Sequence, residues 1–145
     1  MYVNSIRTML LAVAVLMSQH GIADGLVSSS PEDASVYIIA PVDGQQVEKS
    51  FTVRFGLKGM GVAPAGTDKP DTGHHHLLID NDELPDMTSP LPANDKVKHF
   101  GKGQTETELS LPAGTHTLQL LLGNYLHVPH QPPLLSDKIT VTVVE

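Results

Sequence analysis

Residues 106–123 read ETELSLPAGTHTLQLLLG. Thr107, Leu109 and Leu111 alternate with Glu106, Glu108 and Ser110; beyond Pro112-Ala113-Gly114, the residues His116, Leu118, Leu120 and Leu122 again share one face. Successive side chains of a strand point to opposite sides of the pleat, so this period of two marks strands with one buried face. Proline presets φ and glycine tolerates positive φ, which makes PAG a turn with a mechanism. The stretch therefore reads as two strands joined by a hairpin.

The same pattern extends outward. In Phe51–Lys58, the residues Phe51, Val53, Phe55 and Leu57 lie opposite Thr52, Arg54, Gly56 and Lys58. Val36–Ala40 is a short apolar run stopped by Pro41, and Pro41-Val42-Asp43-Gly44 is a turn. His75–Asp80 reads as a further strand, and Lys138–Val144 closes the chain with Ile139, Val141 and Val143 inward. Between them lie the loop GMGVAPAGTDKPDTG (59–73) and the Pro- and Asp-rich connection Asn81–Lys98. No window places apolar residues at helical spacing. About six to eight short strands separated by turns predict an all-β fold, an antiparallel immunoglobulin-like β-sandwich of about seven strands, with cupredoxin-like or jelly-roll topology as alternatives. The chain has 4% aromatic residues and no Trp, so the antibody type of core is excluded.

The N-terminus reads as a signal peptide over residues 1–23. One basic residue, Arg7, precedes the apolar run MLLAVAVLM (9–17), and Gly21-Ile22-Ala23 puts small residues where a signal peptidase requires them. The run is shorter than the roughly 20 apolar residues of a membrane span. Residues 24–35, DGLVSSSPEDAS, read as a flexible leader, and 36–145 as one sandwich domain. The expected location is the periplasm or the exterior, with no membrane insertion once the signal is cleaved. Nine Lys and Arg against sixteen Asp and Glu, a formal charge of −7, exclude a nucleic-acid partner, which demands clustered cations. The chain has no cysteine, so disulfides, thiolate metal ligands and a lipoprotein anchor are all excluded.

Eight histidines in 145 residues call for an explanation. Imidazole is the commonest side-chain metal ligand. In the strand HHHLLID, His74 and His76 point the same way with Cα atoms about 6.5–7 Å apart, close enough to converge on one ion. His127 and His130 form a second pair in HVPH, where Pro129, Pro132 and Pro133 limit backbone freedom. These four are the leading metal ligands; His75, His99, His116 and Met60 are weaker candidates. His116 shares a face with leucines and reads first as a satisfied core histidine. Met60, in a Gly-flanked loop, is a copper ligand only if it lies beside the histidines. The cofactor expected is copper or zinc, both suited to imidazole. Asp80, Asn81, Asp82, Glu83 and Asp86 lack the spacing of a calcium loop and suit turns equally well. No GxSxG, HExxH or phosphate-binding glycine loop is present, so no catalytic residue is read and the chain is expected not to be an enzyme. Two functions remain: an exported metal-binding protein that buffers or delivers copper or zinc, with the ion and another periplasmic protein as partners, or a structural or interaction module whose histidines bond loop carbonyls as scaffolding.

Five motifs occur together: GLKGMGVAPAG (56–66), TGHHHLLID (72–80), HFGKGQTE (99–106), LPAGTHTLQL (111–120) and HVPHQPP (127–133). In combination they resemble an uncharacterised family of small exported bacterial proteins known only as a domain of unknown function, over roughly Val36 to Val144. The resemblance implies export, a compact β domain and no established activity. It also implies a histidine two residues before HFG, where this chain has Val97, and that departure weakens His99 as a ligand.

Overall fold

Alternating runs become strands wherever one face can be covered, and here two sheets cover each other. The computed structural model describes residues 25–145; the expected signal peptide lies outside the described residues. Nine strands form: β1 (Ser35–Ala40), β2 (Gln46–Val47), β3 (Ser50–Lys58), β4 (Gly61–Val62), β5 (Thr72–Ile79), β6 (Val97–His99), β7 (Glu106–Ser110), β8 (Gly114–Gly123) and β9 (Ile139–Val143). One sheet has the order β1-β3-β7, and the other runs β2-β9-β8-β5-β4 with β6 also paired to β5. The short pairings β2–β9 and β4–β5 are parallel, and the rest are antiparallel. The fold is thus a mostly antiparallel β-sandwich, as the alternation predicts. Three of the nine, β2, β4 and β6, are only two or three residues long.

The main core lies between the sheets. Val53 and Phe55 of β3 and Leu109 of β7 meet Leu77 and Ile79 of β5, Leu118, Leu120 and Leu122 of β8, and Val141 and Val143 of β9. Burying aliphatic side chains of this size stabilises by about 1.5–3 kcal/mol each. A second, smaller core sits on the outer face of the larger sheet, where Leu78 and Leu121 pack with Leu91 and Val97 beneath the 81–98 connection. That is why β5 and β8 are apolar on both faces, as Leu77-Leu78-Ile79 and Leu120-Leu121-Leu122 record.

Three expectations change. The 112–114 turn is not a hairpin: β7 pairs with β3, whereas β8 pairs with β5 and β9, so the connection crosses from one sheet to the other. Identical alternation arises whether two runs lie side by side or face each other across a core. β5 starts at Thr72 rather than His75, because β4 pairs with Thr72 and Gly73 and extends the strand, so His74 lies inside it. Residues 28–30, within the expected leader, run beside Gln131: Gln131 N donates to Ser28 O at 3.0 Å and Ser30 N to Gln131 O at 3.1 Å. Among the described residues, no helix is long and apolar enough to cross a membrane.

Candidate metal centre

Strand parity divides the histidine run of β5. His75 points with Leu77 and Ile79 into the main core, and its ring lies 5.2 Å from that of Phe55. His74 and His76 point with Leu78 to the outer face of the larger sheet. Opposite His76 across the β5–β6 ladder stands His99, in a register that also matches Leu78 with Val97. Opposite His74 on β8 stands Gly123, which has no side chain to fill the space. The turn after β8 then brings His127 over the same spot.

These four imidazoles, His74, His76, His99 and His127, form one group, each offering a nitrogen, with all four nitrogens within 4.8 Å of one another. The ring centroids run from 4.7 Å for His99–His127 to 6.2 Å for His76–His127. His127 Nδ1 and His74 Nε2 are 3.2 Å apart. Two ligands of a tetrahedral ion with bonds of about 2.0–2.1 Å lie about 3.3 Å apart, so this pair already has the required separation. Nitrogens as far apart as the 4.8 Å limit of the group would have to close by roughly 1.5 Å to reach that separation.

The space is cut to fit the rings. A Cβ at Gly123 would lie 2.7 Å from His76 Cε1, and one at Gly101 would collide with Cε1 and Nε2 of His99. The φ of Gly101 is outside the left-handed region, so backbone conformation does not demand glycine there. The position is left to the ring of His99. His127 itself has φ 67°, a left-handed conformation that non-glycine residues seldom hold without support from their surroundings. Leu91 N donates to His127 O at 2.9 Å and His127 N donates to Asn124 O at 2.9 Å, which supplies that support.

Burial disfavours the charged form of His74, His76 and His127. His74 and His76 are 0% and 1% exposed, whereas His127 is half-buried and His99 opens to solvent. Burial, reinforced by His127, His99, His75 and His130, lowers the pKa of His74 to about 4. Burial, then His74, His99 and His127, lowers that of His76 to about 3 against a weak opposing pull from the His74 backbone. Burial and then His99 also push His127 down. Neutral imidazoles are the form that binds a metal. Three of their buried nitrogens, Nδ1 of His74 and both ring nitrogens of His76, have no hydrogen-bond partner. A buried polar atom left so costs about 1–3 kcal/mol, and an ion held by the group would satisfy one nitrogen of His76. The group could hold a metal ion.

The remaining candidates lie elsewhere. His130 is not a ligand of this group: its Nε2 lies 3.2 Å from Thr72 O. His127 sits at the tip of the turn closed between Asn124 and Val128, whereas His130 lies beyond it against Thr72 O, so the HxxH spacing does not bring the two rings together. His75 faces the core, with neither ring nitrogen in good hydrogen-bond geometry; burial takes its pKa to about 4, weakly opposed by the Gln104 backbone. His116 bonds Asp80 Oδ2 at 2.7 Å and Pro112 O at 2.9 Å, the satisfied histidine expected. Burial pulls His116 down, but Asp80 and the Pro112 carbonyl outweigh it and raise its pKa. Met60 packs against the main core between the sheets. Asp86 is occupied by Thr88 and Ser89, as turn chemistry requires. His99, weakened as a candidate by Val97, is a full member: Val97 packs in the smaller core two residues away and takes nothing from the site.

Gly101→Ala tests whether the position of His99 matters. The added methyl displaces the ring while leaving every histidine in the chain. Metal affinity should fall by about 10–100-fold, as for other changes just outside a coordination shell. The stability of the metal-free protein should stay within about 0.5 kcal/mol, as for a surface change. Titration calorimetry and a melting curve without metal measure the two.

A family model described as "Domain of unknown function (DUF4399)" matches residues 53–144. No curated protein matches. Among solved structures, the X-ray structure of the endo-β-1,4-mannanase from Thermotoga petrophila is similar, with 20% identity and a TM-score of 0.46 over 78% of this chain. The chain spans only 20% of that protein.

Proposed function

We propose that this chain, which belongs to the DUF4399 family of domains of unknown function, is an exported metal-binding protein that carries copper or zinc on His74, His76, His99 and His127. The observation that carries this reading is the group itself: four imidazoles, His74 and His76 wholly buried among them, with one nitrogen from each within 4.8 Å of the others. A scaffold would bond the buried rings to protein oxygens, as both nitrogens of His116 are bonded, whereas neither ring nitrogen of His76 has a partner. Four imidazole nitrogen donors without a carboxylate suit Cu(II) and Zn(II) and disfavour calcium and magnesium, which prefer oxygen. Copper binds more tightly by the Irving–Williams order. With His99 open to solvent, the ion can be reached and exchanged, which fits buffering or delivery better than catalysis.

Metal analysis of untagged protein and melting curves with each cation test the reading. At 100 times its Kd, a bound ion adds about 2.7 kcal/mol of stability. Cu(II) and Zn(II) should raise the melting temperature while Mg²⁺ and Ca²⁺ leave it unchanged; a flat response to all four overturns the proposal. Export rests on Arg7, the 9–17 apolar run and Ala23. Secreted or periplasmic protein should begin at or near Asp24, and a chain that keeps Met1 in the cytoplasm would refute export.

A further inference from the structure

We infer that Asn124 is the positioning residue of the metal centre, holding His127 in place and tying that ligand to the segment Leu26–Ser30. The inference rests on the four-histidine reading. Asn124 is 1% exposed, and its side-chain amide is bonded at both ends. Oδ1 accepts from Leu126 N at 2.9 Å and Val128 N at 3.0 Å. Nδ2 donates to Leu26 O at 2.8 Å and Ser28 Oγ at 3.0 Å. The backbone closes the same turn, with Asn124 N donating to Val128 O and His127 N to Asn124 O, both at 2.9 Å.

Residues 124–128 therefore wrap around one amide, with His127 at the tip in its left-handed conformation. Nothing in the histidine's own chemistry favours that backbone; the bonds to Asn124 on either side impose it. The outer end of the amide fastens the turn to the chain ahead of β1. Ser28 and Ser30 continue the attachment along Gln131, and Ser30 Oγ donates to Pro132 O at 2.6 Å. Both ends of the Asn124 amide are taken up by protein partners, so its effect on binding must pass through His127.

A double-mutant cycle in the full chain tests this, with Zn(II) affinity by calorimetry and Cu(II) coordination by electron paramagnetic resonance. Asn124→Ala should lower Zn(II) affinity by about 10–100-fold, and its Cu(II) spectrum should lose one imidazole nitrogen, as that of His127→Ala does. The double variant should bind no more weakly than His127→Ala alone, because the two changes remove one interaction. Asn124→Asp keeps an acceptor for both amides and should retain the four-nitrogen spectrum. Should Asn124→Ala fail to fold, Asn124→Ser, too short to reach both amides, takes its place in the cycle. Additive losses, or an unchanged spectrum in Asn124→Ala, overturn the inference and leave the metal reading standing. Wild-type protein that binds neither ion overturns both.

Discussion

Replacing His74 and His76 together with leucine abolishes metal-dependent stabilisation and leaves the metal-free domain at least as stable as before. The two rings are wholly buried and carry three nitrogens without partners. Each such atom costs about 1–3 kcal/mol in the absence of an ion, so an apolar side chain of similar size relieves a burden that the metal would otherwise relieve. Leucine avoids the cavity that alanine would leave and its separate cost of about 2–5 kcal/mol. The gain of about 2.7 kcal/mol expected at 100 times Kd should vanish with the ligands. Melting curves with and without Cu(II) or Zn(II) read both effects. If the double variant binds as tightly as wild type, the centre is elsewhere. If it loses several kcal/mol without metal, the histidines are scaffolding and the alternative function takes over.

Acid should begin to destabilise the metal-free protein well above the pH at which carboxylates titrate. His74, His75 and His76 have folded pKa values near 4, 4 and 3, against about 6.5 in an unfolded chain. A group depressed on folding stays neutral in the native state while the unfolded chain takes up its proton. Stability is therefore complete above about pH 6.5 and is lost as pH falls towards the folded values. Near pH 5 the unfolded chain holds about three more protons from this run alone, so stability drops by about 4 kcal/mol per pH unit. A domain of this size has only about 5–15 kcal/mol to lose. Urea denaturation between pH 7 and 4.5 should reveal that slope, and His75→Phe should lessen it by about a third. A stability that stays flat down to pH 4.5 would show that the rings are hydrated. Protons also compete with the metal for the same nitrogens, so saturating Zn(II) should move the acid transition to lower pH.

How much of this was readable in the chain depended on how each strand is covered. The strands β3, β7 and β9 were legible because their apolar residues alternate with polar ones, and Val53, Leu109 and Val141 fall on the expected side; in β8, Leu118 does too, although Leu121 is buried on the opposite face. β5 was legible as a strand but not in its orientation, because Leu77 and Leu78 are buried on opposite faces, one under the second sheet and one under a loop. The family was legible as well: the motifs from GLKGMGVAPAG to HVPHQPP fall within or overlap the matched residues 53–144.

By itself, the sequence determined the β class, the family, and the pairing of His74 with His76, since these follow from period-two parity and from local motifs. Only the tertiary structure decided which histidines join that pair. His99 arrives through the register of a three-residue strand against β5, and no local pattern encodes a register between segments so far apart. His127 enters and His130 leaves because Asn124 bends the turn that carries them, and its bonds reach back to residues 26 and 28. Proximity of this kind is a property of the folded chain, because the hydrogen bonds that create it join positions nearly a hundred residues apart in sequence.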